Sequence, residues 1–95
     1  MSMKQAYQDK LQSQLDQWRA EIGKLQAKAK SSSAQAQLDY YRQIEELRSM
    51  QVDAEKKLDE LKQSGDEAWE DLKAGIDRAW GTFGNAMKSA AARFK

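Results

Sequence analysis

The chain has 95 residues, of which 16 are Lys or Arg and 15 are Asp or Glu, and it contains no Pro, Cys or His. A chain of this length forms one small domain at most. The absence of Cys and His excludes disulfides, catalytic thiols and the usual zinc, haem and iron–sulfur ligands. One third of the residues are charged and few are aromatic, a composition typical of long helices and coiled coils.

Residues 3–30 carry the spacing of a coiled-coil helix. From Leu11 to Ala29 the apolar residues follow one another in steps of four and three, which is the heptad pattern of a helix with one buried seam. Lysines gather near the end of this run, where positive charge favours the negative pole of a helix. The three serines at 31–33 then favour a turn and an N-cap for the next helix. The predicted core residues of helix one are Leu11, Leu15, Trp18, Ile22 and Leu25.

Residues 34–63 repeat this pattern as helix two. Apolar residues recur at heptad spacing from Tyr40 to Leu61, and Gln51 interrupts the seam with a polar side chain. The opposite face is rich in charges of both signs, which indicates a solvated surface rather than a site. The predicted core residues of helix two are Ile44, Leu47, Leu58 and Leu61.

The sequence SGDE at residues 64–67 is the strongest break signal in the chain. Its Ser and its Glu match a capping box, and Gly65 is also suited to ending helix two. These residues predict that helix three spans residues 65–94. The heptad grid of helix two nevertheless stays in phase as far as Leu72, and a single Gly costs a helix only about 1 kcal/mol. A continuous helix across Gly65 is therefore the alternative.

Helix three is built on an eleven-residue repeat. DEAWEDLKAGI at 66–76 is followed by DRAWGTFGNAM at 77–87, so that Trp69 and Trp80 hold equivalent positions. Eleven residues turn about 20° more than three full turns, so the repeat keeps its apolar residues on one nearly straight face. Three glycines of this segment would let a neighbouring backbone approach closely: Gly75, Gly81 and Gly84. The predicted stripe consists of Trp69, Leu72, Ile76, Trp80, Phe83, Met87, Ala90 and Phe94.

Together these patterns predict a single all-α domain of three amphipathic helices, each of about thirty residues. The charge along the chain is basic, then acidic, then basic, an order that suits segments folding back on one another or pairing antiparallel. Two architectures stay open. One is an antiparallel coiled-coil bundle within the chain, and the other is a helical hairpin that completes its core by self-association.

Three stretches carry a resemblance to known proteins: KQAYQDKLQSQLDQW at 4–18, YYRQIEELR at 40–48, and SGDEAWEDLKAGIDRAW at 64–80 with the closing AAARFK. They resemble a family of small bacterial coiled-coil proteins, labelled stress-response proteins and found in cyanobacteria and proteobacteria. The resemblance covers most of the chain, but SSSAQAQ at 31–37 stands where that family has a highly charged linker. It implies an all-helical, non-enzymatic, cytoplasmic protein with a stress-related role, and it supplies no catalytic residue.

The titratable residues form no recognisable site. Neighbouring carboxylates, such as Glu45 and Glu46, point about 100° apart on a helix and do not face one another as an acid–base pair. The serines lack a histidine base, and the glycines of helix three lie in a helical pattern rather than in a phosphate-binding loop. Acidic residues balance the basic ones, which argues against nucleic-acid binding. We therefore expect no catalytic residue, no cofactor, no metal site, and neither a nucleic acid nor a small-molecule substrate as partner.

Two functions of different classes compete for the stripe of helix three. In the first, the stripe packs on other helices, and the protein is a non-enzymatic structural protein that forms homo-oligomers or a larger assembly. In the second, the stripe enters a membrane surface while flanking cations meet anionic headgroups. No signal peptide or transmembrane run is visible. We therefore expect a cytoplasmic protein, either free or peripheral to the inner face of a membrane.

Overall fold

The computed structural model describes residues 2–94, which form a bundle of three α-helices: α1 (Met3–Lys30), α2 (Ala34–Gln63) and α3 (Trp69–Arg93). Helix α2 runs antiparallel to both neighbours, since the start of α1 contacts the end of α2 and the end of α3 contacts the start of α2. The bundle measures 51 × 20 × 19 Å. The all-α class is confirmed, and the three-helix bundle is completed within one chain.

Serine hydroxyls define the ends of α1 and α2. The Ser2 hydroxyl oxygen accepts a hydrogen bond from the Gln5 amide at the start of α1, and Ser33 accepts one from the Ala36 amide at the start of α2. The hydroxyl of Ser32 donates to the Lys28 carbonyl at 2.7 Å and satisfies the end of α1. These side chains take the backbone partners that a continuing helix would need, so the chain turns there.

The start of α3 differs from the prediction. Helix α3 begins at Trp69, four residues later than expected, and the residue before it, Ala68, provides no side-chain cap. The predicted capping box is wrong because Ser64 ends α2 instead: its hydroxyl donates to the Leu61 carbonyl at 2.7 Å. The extended backbone of Ser64, with φ −74° and ψ 151°, also breaks the helix, so the continuous alternative is not the form seen in this bundle.

The core lies along the bundle axis and consists of one apolar face from each helix. Eight of the nine predicted core residues of α1 and α2 are buried there, whereas Trp18 is only half-buried. The Trp18 ring packs against Phe83 between α1 and α3, and it is among the partly buried residues at the edge of the core. The buried eight are Leu11, Leu15, Ile22, Leu25, Ile44, Leu47, Leu58 and Leu61.

A polar cluster interrupts the seam between α1 and α2 at Gln51. This side chain is 8% exposed; its Oε1 accepts from Arg48 at 3.1 Å, and its Nε2 donates to Glu55 at 3.0 Å. Arg48 also donates to Gln26 of α1 at 2.8 Å. Both bonds of Gln51 lie within α2, so the Arg48–Gln26 bond is the one that joins the cluster to α1 and that a shifted register would break.

Only one glycine of α3 lies against a neighbouring element. A Cβ at Gly84 would lie 3.3 Å from the Trp18 ring, whereas a Cβ at Gly75 or Gly81 would meet nothing within 4 Å. The expectation that all three glycines admit a neighbouring backbone is therefore wrong. Gly84 admits an indole ring, and the other two face open space because they lie away from the buried face of α3.

Alanine substitutions test this difference. We expect Gly81→Ala to raise the free energy of unfolding by about 1 kcal/mol, because Ala favours the helix and its methyl group meets nothing. Gly84→Ala has the same intrinsic gain but must displace the Trp18 ring, so we expect it to stabilise by less than half as much. Guanidinium unfolding followed by circular dichroism measures both. Equal stabilisation would contradict the contact of Trp18 with Gly84.

Candidate association surface on helix α3

The candidate surface is the apolar face of α3, here called the α3 stripe, and it is buried inside the chain. Six of its eight predicted members are buried, with exposures between 0% and 7%. Leu72 and Phe94 are half-buried, and Phe94 lies just beyond the end of α3. The six buried members are Trp69, Ile76, Trp80, Phe83, Met87 and Ala90.

Aromatic side chains of α1 and α2 cover the stripe at three levels along the bundle. At one end the Tyr7 and Trp69 rings are 5.7 Å apart between centroids, and in the middle Trp18 and Phe83 are 4.7 Å apart. At the other end Phe94 stacks on Tyr40 at 4.1 Å. Such pairs stabilise beyond the burial of their area alone. The stripe is thus covered by helices of its own chain rather than left open to solvent.

Tyr7 is the contact residue that the spacing of apolar residues did not single out. It lies four residues before Leu11, so it continues the apolar run of α1 by one further step. Its ring contacts Trp69, and its hydroxyl donates a hydrogen bond to the Asp77 carboxylate at 2.5 Å. The heptad grid of α1 extended backwards from Leu11 reaches Gln8 and Lys4, so only the four-residue spacing to Leu11 points to Tyr7.

The burial of the stripe decides how α3 can behave. Five large side chains are buried on it, and each contributes about 1.5–3 kcal/mol relative to exposure, or roughly 8–15 kcal/mol together. This amount is comparable with the whole stability of a small domain. Helix α3 therefore does not stay in water with its stripe exposed, and any rearrangement must replace the cover that α1 and α2 provide.

The packing of the stripe leaves one polar atom without a partner. Within residues 2–94, the buried Nε1 of Trp80 makes no hydrogen bond. Leaving such a donor unsatisfied costs about 1–3 kcal/mol. Trp80 also lines an open groove of about 380 Å³ between α1 and α3. Helix α3 lies close to α2 along more of its length than to α1, so its contact with α1 is the less extensive one.

Charged residues at the rim of the stripe form ion pairs in exposed positions. Lys73 lies 3.7 Å from Asp77, and Arg93 lies 3.8 Å from Asp39. The side chains of both pairs are at least half exposed, so each pair contributes at most about 1 kcal/mol. Lys73 and Asp77 both lie on α3, so only the Arg93–Asp39 pair joins α3 to α2, while apolar burial supplies most of the energy that holds α3.

The environment of Tyr7 changes the acidity of its hydroxyl. Partial burial, followed by the hydrogen bond to Asp77 and the negative charge of that carboxylate, raises the pKa of the Tyr7 phenol well above its ordinary value. In the folded chain the Tyr7 hydroxyl therefore stays protonated, and keeps donating to Asp77, at pH values where a free tyrosine already loses its proton.

The other features of residues 2–94 that bear on chemistry are the acidic side chains and the grooves between the helices. Among residues 2–94, no group of three or more acidic side chains is arranged to hold a metal ion. The grooves along the helix seams are open, and the one between α2 and α3 is lined by a mixture of apolar, charged and small residues. None of the helices that the structure describes has the length and apolar character needed to cross a bilayer.

Comparisons with known proteins add no assignment. No protein-family model, curated protein or solved structure matches the chain. The resemblance to small stress-response coiled-coil proteins therefore stays a prediction from the sequence.

The raised pKa of Tyr7, caused first by burial and then by the hydrogen bond to Asp77, predicts a pH effect on stability. Unfolded Tyr7 loses its proton near its ordinary pKa of 10.0, whereas folded Tyr7 retains it. The stabilisation from Tyr7 is thus fully present below pH 10 and declines as the pH rises above it. We expect the free energy of unfolding to fall less steeply above that pH in Tyr7→Phe than in the wild type.

Urea unfolding at a series of pH values from neutral to alkaline measures this slope. Tyr41→Phe is the matched control, because it removes a tyrosine hydroxyl at an exposed position of α2. An unchanged alkaline slope in Tyr7→Phe would show that burial and Asp77 do not hold the Tyr7 phenol in its protonated form in solution.

Proposed function

We propose that this is a non-enzymatic interaction protein that acts by helix-mediated self-association, with α3 as the element shared between copies. The observation that carries the proposal is the way α3 is joined to the bundle. Within the described residues, helix α3 is attached to α2 through residues 64–68 alone, and it carries most of the large aromatic residues of the core. Exchange of such an element between identical chains is a low-cost route to a dimer.

The energy of the stripe favours a second copy as the partner. Because exposing the stripe costs roughly 8–15 kcal/mol, an associated form must cover it as completely as the monomer does. A second copy offers the same faces of α1 and α2, including the aromatic contacts to Tyr7, Trp18 and Tyr40. Self-association through α3 therefore retains the burial that the single chain achieves.

The outer face of α2 offers a weaker surface for association. Its large apolar side chains are exposed by 45–66%, and they are Leu38, Tyr41 and Val52. Exposed Glu45 lies between them in the chain. Single apolar side chains separated by charges are common on protein surfaces and do not by themselves form an interface. We therefore assign association to α3 and use this face as a control.

A membrane surface is the second candidate partner, favoured by the cations of α3. Lys73, Arg78, Lys88 and Arg93 are all exposed in the bundle and are available to anionic headgroups. In this case lipid would replace α1 and α2 as the cover of the stripe. The protein would then be peripheral to the inner face of a membrane, and otherwise cytoplasmic. A stress-related role belongs to the proposal only through the family resemblance.

Association through α3 predicts a mass that depends on concentration. We expect light scattering to give the 10.8 kDa of one chain in dilute samples and about twice that mass in concentrated ones. Each sample should be refolded from guanidinium at its final concentration, because exchange of α3 requires unfolding. Leu38→Gln combined with Val52→Gln is the control and should associate like the wild type.

The outcomes separate the candidates. A single-chain mass at every concentration would contradict self-association. Loss of association in the double variant would place the interface on the outer face of α2. Flotation with vesicles containing anionic lipid, without any change of mass in their absence, would favour the membrane surface.

A further inference from the structure

The buried faces of α2 and α3 are in phase with each other across the break. When residues 34–93 are placed on one straight helix at 100° per residue, the buried positions of both helices fall within a single arc of about 100°. The bundle itself does not require this match, because residues 64–68 separate the two helices. The positions that share the arc are Ile44, Leu47, Gln51, Ala54, Leu58, Leu61, Trp69, Ile76, Trp80, Phe83, Met87 and Ala90.

The break itself is narrow and held by few interactions. Ser64 is extended, while Ala68 already has helical backbone angles of φ −76° and ψ −22°. Gly65 does not adopt the positive φ of a left-handed cap, and α3 has no side-chain N-cap. The Ser64 hydroxyl donates to the Leu61 carbonyl, and the Lys4 ammonium donates to the Ser64 carbonyl. Two backbone amides also hold the turn: that of Ser64 donates to Leu61, and that of Trp69 donates to Gly65.

We propose that on association residues 64–68 become helical and join α2 and α3 into one continuous helix, and that two chains then exchange α3. Each α3 lies between α1 and α2 of the other copy. This inference rests on the proposed function, and it specifies the partner as a second copy and the geometry as an antiparallel pair of long helices.

The phase of the two faces is what such a dimer needs. A two-fold axis perpendicular to the plane of the two long helices relates both halves of the dimer, so each long helix must present α2 and α3 faces on the same side. The shared arc meets this condition. The Trp69, Phe83 and Phe94 rings keep their aromatic partners, which now belong to the other copy. The long helix spans about 90 Å, so the dimer is a rod.

Position 65 offers a matched pair of variants that tests the inference. A Cβ there meets nothing within 4 Å, and the backbone has no positive φ, so Ala fits the monomer. The Gly65 amide donates none of the backbone hydrogen bonds of the turn, so Pro removes no bond from the monomer. Gly65→Ala favours the continuous helix. Gly65→Pro forbids it, and Pro also prefers an extended preceding residue, as Ser64 is with its ψ of 151°.

We expect the association constant, measured after refolding at each concentration, to rise about 30-fold in Gly65→Ala, from one helix-propensity difference in each of two chains. In Gly65→Pro it should fall more than about 1000-fold. Thermal unfolding confirms that each variant is folded. X-ray scattering of the wild-type dimer gives an independent result, a rod of about 90–100 Å in length.

Two results overturn this inference alone, and a third overturns it together with the proposed function. Association that is the same in the wild type, Gly65→Ala and Gly65→Pro would mean that copies meet without straightening of residues 64–68, and self-association itself would stand. A dimer no longer than the 51 Å of one bundle would likewise mean that the long helix does not form. Single chains at every concentration in all three proteins would instead remove the proposed function, and the inference with it.

Discussion

The apolar face of α3 must be buried against other helices, and the rest of this structure depends on that constraint. The chain has no disulfide, no His and no Cys ligand to support a small fold, so stability must come from packed side chains. The stripe contributes roughly 8–15 kcal/mol of burial, about as much as such a domain has in total stability. Helices α1 and α2 are arranged so that Tyr7, Trp18 and Tyr40 meet the aromatic rings of this face.

Periodicity predicted which residues are buried, because burial on a helix depends on local spacing. Leu15, Ile22 and Phe83 are among the most deeply buried residues, and all three follow from steps of three and four. The helix boundary near Ser64 was predicted less well. The Ser64 hydroxyl can bond either to an amide that follows it in the chain or to a carbonyl that precedes it. In the structure it donates to the Leu61 carbonyl, and Lys4 donates to the carbonyl of Ser64.

Contacts between helices lay outside what spacing predicts. The bond of Tyr7 to Asp77 and the contact of Trp18 with Gly84 depend on how far apart α1 and α3 lie. The Arg48–Gln26 bond depends likewise on the register of α1 against α2. Such distances are set by the volumes of all the side chains between the helices, and a pattern along one helix does not contain them.

The cover of α3 can be identified directly, because the chain has no Cys of its own. Asp39→Cys combined with Arg93→Cys replaces an ion pair between α2 and the end of α3, 3.8 Å long, and a short bismaleimide then links the two thiols. We expect the link within one chain in monomers and between chains in dimers. Monomers that do not link would contradict the packing of α3 on α2 of its own chain. Dimers linked only within each chain would contradict the packing of α3 on the other copy.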